Sequence, residues 1–263
     1  MLKYIDVDSA SGSVQKHTVM LLHAFPLSAA MWQSQIEPLA QAGLRVIAPH
    51  AYGVEGSAEK ENWTFTEYAH ELAELLESHG VNKATIVGLS MGGYQAFEFY
   101  RLYPDKTASL VLCDTRAEGD APEARKNREE FIHAVETNGA EEAVKRMIPN
   151  YFTAATYTYK PELVAQAKDI IRKQSPKDIT DAMRAIMQRN DSSSLLPNIH
   201  CPVLVLNGVD DKLTTPDTAR SISSRIPGSQ LQLLAEAGHI SNMEQPEEFN
   251  RAMLDHIEEV RLS

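Results

Sequence analysis

Ala84-Thr85-Ile86-Val87-Gly88-Leu89-Ser90-Met91-Gly92-Gly93 decides the reading of this chain. A short apolar, β-branched run leads into Gly-x-Ser-x-Gly, and an amphipathic stretch follows. The pattern is a nucleophile elbow, a sharp strand-to-helix turn that holds a serine in strained backbone geometry with its hydroxyl presented. Side chains at Gly88 and Gly92 would collide where strand and helix pack close around the turn. Ser90 then sits at a helix N-terminus, where free N–H groups and the helix dipole favour developing negative charge. The bare pattern occurs by chance, but a strand before it and a helix after it set this one apart.

Outward from the elbow, apolar β-rich runs recur at Thr18–Leu22, Arg45–Ala48, Ser109–Cys113, Val203–Asn207 and Gln230–Leu234. Continuous apolar runs fit strands buried on both faces, as in a parallel sheet with helices on either side. Helical patterns fall between and after them, near Ala29–Gln41, Thr66–Ser78, Met91–Leu102, Pro216–Arg225 and Pro246–Val260. In the last, Phe249, Met253, Ile257 and Val260 make one apolar stripe. Alternating strand and helix predicts an α/β fold, mostly parallel, with helices on both faces.

The alternation stops between about Arg116 and Asn190. That stretch reads as four helices. Pro122, Pro161 and Pro176 stand where a first helical residue belongs, Ser175 to Asp178 resembles a capping box, and Gly139 ends the first helix. The expected division is a core of residues 1–115 and 196–263 with an all-helical cap over 116–195. A cap placed directly after a strand end covers the sheet's C-terminal edge, where open α/β sheets bind ligands.

The 263 residues suit one α/β unit with such an insertion. Net charge is −11, from 36 acidic and 25 basic residues. That balance argues against nucleic acid or an anionic membrane as partner and modestly disfavours anionic substrates. No secretory pattern or membrane-length apolar run is visible, and the two cysteines, Cys113 and Cys201, read as buried thiols. The expected location is the cytoplasm. No ligand spacing points to a metal or cofactor. The oligomeric state is not legible.

A serine hydroxyl needs an adjacent base, and the base needs an orienting acid. Where an elbow carries the serine, the acid and then the histidine follow along the chain. His239, in Ala237-Gly238-His239-Ile240 after the last strand, is the candidate base, and a loop glycine before it suits a mobile, exposed imidazole. His70, His79, His133 and His256 lie in or beside helices and read as solvated. Asp211, directly after Val203–Asn207, is the candidate acid. Asp210 and Asp114 compete with it; the spacing from Gly208 and the Gly-x-x-Asp turn favour Asp211. The oxyanion donors are expected to be the backbone N–H groups of Met91 and Phe25, the latter in His23-Ala24-Phe25-Pro26-Leu27-Ser28.

Over nearly its full length the chain resembles the α/β-hydrolase fold superfamily. His23–Ser28 is similar to that family's His-Gly-Phe-Pro-Leu-Ser loop, Gly88–Gly92 to its elbow, Gly208–Asp211 to its acid turn and Gly238-His239 to its base loop. Within the superfamily it most resembles small carboxylesterases and 3-oxoadipate enol-lactonase-like hydrolases with a four-helix cap. The resemblance implies a serine hydrolase acting on a small-molecule ester, with lactone or carbon–carbon hydrolysis, or a triad-bearing ligand sensor, as alternatives. Dehalogenase and epoxide hydrolase chemistry is disfavoured, because those relatives carry Asp in place of Ser90. Two departures stand out. Ala24 replaces a glycine beside the oxyanion donor. Ala48-Pro49-His50-Ala51-Tyr52-Gly53 lacks the usual Asp-x-x-Gly, so a loop hydrogen bond is expected to be missing.

Overall fold

The runs Thr18–Leu22 and Ala84–Leu89 are buried at every position. Strands with no solvent face must be covered on both sides, and the chain's alternation supplies the cover. The computed structural model describes residues 1–9 and 17–262. In it, β1 (Tyr4–Val7), β2 (Thr18–Leu22), β3 (Arg45–Pro49), β4 (Ala84–Leu89), β5 (Thr107–Cys113), β6 (Val203–Gly208) and β7 (Gln230–Leu234) form one sheet. The order is β1-β3-β2-β4-β5-β6-β7. Only β1 runs antiparallel, paired with β3; every other pairing is parallel. The fold is α/β, a mostly parallel sheet layered with helices.

Three core helices follow in turn: α1 (Gln33–Gln41), α2 (Phe65–Ser78) and α3 (Met91–Leu102). The expected helix from Ala29 opens instead as a 3-10 turn over Ala29–Trp32. Thr64 caps α2 in a reciprocal box with Glu67, at 3.2 and 2.9 Å. Between β5 and β6 lie α4 (Pro122–Asn138), α5 (Ala140–Met147), α6 (Ala154–Tyr159), α7 (Pro161–Arg172) and α8 (Pro176–Gln188). The chain closes with α9 (Pro216–Arg225), α10 (Ser241–Glu244) and α11 (Pro246–Leu262).

Four details differ from the sequence reading. The insertion holds five α-helices among the described residues rather than four. The addition is short: α6 is capped by Thr153 and stops before Pro161, and its Thr and Tyr residues carry little helical propensity. The four-residue β1 is too brief to show a period. At the far edge, β7 is largely solvent-facing, with only Leu234 buried. His256 is buried rather than solvated, because it lies at i+3 from Met253 on the inward stripe of α11.

Candidate active site

The elbow forms where the strand order reverses, between β2 and β4. A Cβ on Gly88 would stand 2.2 Å from the Gly92 carbonyl oxygen, and one on Gly92 2.1 Å from that of Leu22. Neither glycine has a positive φ, so space rather than dihedral freedom excludes a side chain. Ser90 itself adopts φ 56° and ψ −111°, a costly region for a residue with a Cβ. Two bonds hold it there: Ser90 N–H donates to Cys113 O at 2.9 Å, and Thr115 Oγ1 donates to Ser90 O at 2.8 Å.

The structure brings Ser90, His239 and Asp211 together. Ser90 Oγ lies 2.9 Å from His239 Nε2, and His239 Nδ1 lies 2.9 Å from Asp211 Oδ2. Asp211 can only accept when ionised, so the imidazole proton sits on Nδ1 and leaves Nε2 open to the serine proton. Asp211 is fixed in turn. Its Oδ1 accepts from Leu213 N–H at 2.7 Å and Thr214 N–H at 3.0 Å, and its Oδ2 accepts from Thr214 Oγ1 at 2.5 Å. Burial works to raise the Asp211 carboxyl, but the neighbouring His239 and the Thr214 donors outweigh it and hold it below the usual carboxylate range.

The competing acids lie elsewhere. Asp210 is exposed. Asp114, fully buried, turns from His239: Gly208 N–H donates to its Oδ1 at 2.8 Å, and Ser241 Oγ donates to its Oδ2. Burial pushes the Asp114 carboxyl well above its usual range, and the Asp211 charge pushes it the same way.

His239 is not the mobile, exposed group its loop suggests. Its side chain is 4% exposed. Tyr151 of the insertion covers it, with ring centroids 5.9 Å apart, and Tyr151 O accepts from Ile240 N–H at 3.2 Å. The Tyr151 hydroxyl donates to Phe25 O, so one insertion residue ties the base loop to the Phe25 loop. Phe25 and Met91 both line the cavity that opens on Ser90. The two departures are accommodated. Ala24 lies outside the positive-φ region and needs no glycine freedom. Around the loop that lacks Asp-x-x-Gly, His50 Nδ1 accepts from Ala29 N–H at 3.2 Å and His23 Nε2 from Ala51 N–H at 3.0 Å.

The cavity measures about 160 Å³. Ala124, Met147 and Ile186 of the insertion form its apolar roof, while Tyr94, Leu213 and Thr214 close the core side. Its other wall is charged: Arg116, Asp120 and Arg128. Sequence reasoning missed these three. Arg116 was signalled only by its place just past β5, at the sheet's C-terminal edge.

Comparison with known proteins agrees with this fold. Residues 17–246 match the family model for the alpha/beta hydrolase fold. A thermophilic esterase from Thermogutta terrifontis, solved with malate bound, is 35% identical; the match covers 98% of this chain and 93% of that one, with a TM-score of 0.93. 3-Oxoadipate enol-lactonase 1 of Acinetobacter baylyi is 28% identical over 83% of this chain and 80% of its own. 2-Hydroxy-6-oxononadienedioate/2-hydroxy-6-oxononatrienedioate hydrolase 1 of Pseudomonas putida is 28% identical over 92% and 88%. With the elbow, the sheet order and a family match over most of its length, the chain belongs to the α/β-hydrolase fold family.

Proposed function

We propose that this protein is a serine hydrolase that cleaves small carboxylic esters through an acyl-enzyme. The observation that carries the reading is the unbroken line from Ser90 Oγ through His239 to Asp211, at 2.9 Å in each link, opening on a small roofed cavity. Ser90 Oγ attacks the ester carbonyl carbon while His239 Nε2 takes its proton. The Phe25 and Met91 N–H groups hold the resulting oxyanion. Collapse breaks the bond to the alcohol oxygen, which leaves with the proton from His239. Water then repeats the sequence on the acyl-enzyme and frees the acid and Ser90. Asp211 holds the imidazole tautomer and stabilises the imidazolium throughout.

Residues 116–195 act in this reading as a cap on a core of 1–115 and 196–263. Met147 and Ile186 close the cavity from above, which favours short acyl chains. Each added methylene gains about 0.8 kcal/mol only while room remains. The relative named an enol-lactonase supports lactones, which are cyclic esters, as a second substrate form. The free thiols Cys113 and Cys201 fit the reducing cytoplasm. The test is a linear aryl ester series from acetyl to dodecanoyl, with lactones alongside. kcat/KM should peak at short chains, and Ser90→Ala should lose on the order of 10⁴-fold or more. A sulfonyl fluoride should label the Ser90 peptide. A maximum at long chains with activation at an oil–water interface, or label on another serine, would overturn the reading.

A further inference from the structure

The cavity beside Ser90 holds more positive charge than its own acids answer. Arg116 lines it with Ser90 and His239. Among the described residues its guanidinium donates to the Leu213 carbonyl, and no carboxylate lies within ion-pair distance of it. Arg128 shares the wall. Its Nε and Nη2 donate to Asp120 at 2.6 and 3.2 Å. Asp120 also takes Arg189 Nη1 at 2.8 Å, and both of those side chains are almost wholly buried. One carboxylate therefore serves two guanidiniums while the third, Arg116, has none. This excess sits in a chain of net charge −11, at the one place where a ligand would meet Ser90. A guanidinium presents a planar fork of donors that fits a carboxylate, and such a pair gains strength out of bulk water.

We propose that the ester cleaved at Ser90 also bears a carboxylate, which Arg116 binds with Arg128 beside it. The substrate class is then the half-ester of a short dicarboxylic acid. The inference rests on the hydrolase reading for its chemistry and on the cavity wall for its charge. The overall negative charge slows the encounter with an anion, but the local guanidiniums set which ligand stays.

Monoethyl succinate and ethyl 4-methylpentanoate differ in little but charge, because an isopropyl group replaces the carboxylate. Hydrolysis of each is followed by titration of the released acid. The wild-type protein should prefer the succinate half-ester. Arg116→Gln, which can still donate to Leu213 O, should lower the ratio of the two kcat/KM values by about 10- to 100-fold, chiefly through KM. Arg116→Lys should restore part of it. A second readout is calorimetric titration of succinate into Ser90→Ala protein, with and without Arg116→Gln; affinity should fall by at least about 10-fold. Hydrolysis of both esters with an unchanged ratio and unchanged succinate binding overturns this inference and leaves the hydrolase reading intact. Succinate binding that depends on Arg116, with neither ester cleaved, overturns the hydrolase reading instead.

Discussion

Asp211 and Asp114 leave neighbouring strands at the same edge of the sheet, and their surroundings separate their roles. Asp211 accepts three donors besides His239 and is held ionised. Asp114 is buried with Gly208 N–H and the Ser241 hydroxyl, and its carboxyl is pushed up by burial and by Asp211. Asp211→Asn should therefore lower kcat on an aryl acetate by about 10⁴-fold, because the amide favours the wrong imidazole tautomer. Asp114→Asn replaces a group already disposed to be neutral, and should cost less than about tenfold. A larger loss from Asp114→Asn than from Asp211→Asn would move the acid to β5. That Ser90, His239 and Asp211 would meet was legible in sequence because each follows a strand and carries its own local glycine signal. The burial of His239 was not, because Tyr151 covers it from a distant part of the chain. Nor was the unanswered charge of Arg116, which depends on how Asp120 divides itself between Arg128 and Arg189.

At the scale of elements, segments with a continuous apolar run or a helical period could be read, and short mixed ones could not. β2, β4 and α3 announce themselves by composition and period. β1, α6 and α10 span six residues or fewer and exist because neighbours hold them. Two of these carry an important tether. Glu244 at the end of α10 is fully buried and accepts from Gly238 N–H, next to His239, at 2.5 Å. Its other oxygen accepts from Thr153 N–H at 2.8 Å, Thr153 Oγ1 at 3.0 Å and Thr156 Oγ1 at 2.6 Å, at the start of α6. One carboxylate thus joins the insertion to the base loop. Glu244→Ala strands several buried donors and should destabilise the protein by about 3 kcal/mol or more. Activity should fall with it, as the His239 loop loses its anchor. An unchanged denaturation midpoint would show that the tether contributes nothing.

Across the molecule as a whole, several imidazoles among the described residues are buried with no acid at ion-pair distance, and these shape the response to acid. His23 and His256 are both lowered to about 4 by burial, the nearby His50 and His17 adding to the effect. Backbone bonding at Ala24 and the Glu259 charge oppose it only in part. A histidine with a depressed folded pKa takes up its proton more readily in the unfolded chain. Its stabilising contribution is therefore whole above about pH 6.5, the unfolded value, and is lost progressively as pH falls toward 4. For His23, fully enclosed, the loss over that window is on the order of 3 kcal/mol. His256 is the cleaner probe. It lies on α11, outside the residues that line the cavity at Ser90, and its buried Nε2 has no hydrogen-bond partner among the described residues. His256→Leu removes both the titrating group and the orphaned nitrogen. Unfolding by urea at pH 7 and pH 5 should show a smaller drop in stability for the variant than for the wild-type protein. An equal drop would mean that His256 takes up protons alike in the folded and unfolded states, and that the acid response arises from the other buried histidines.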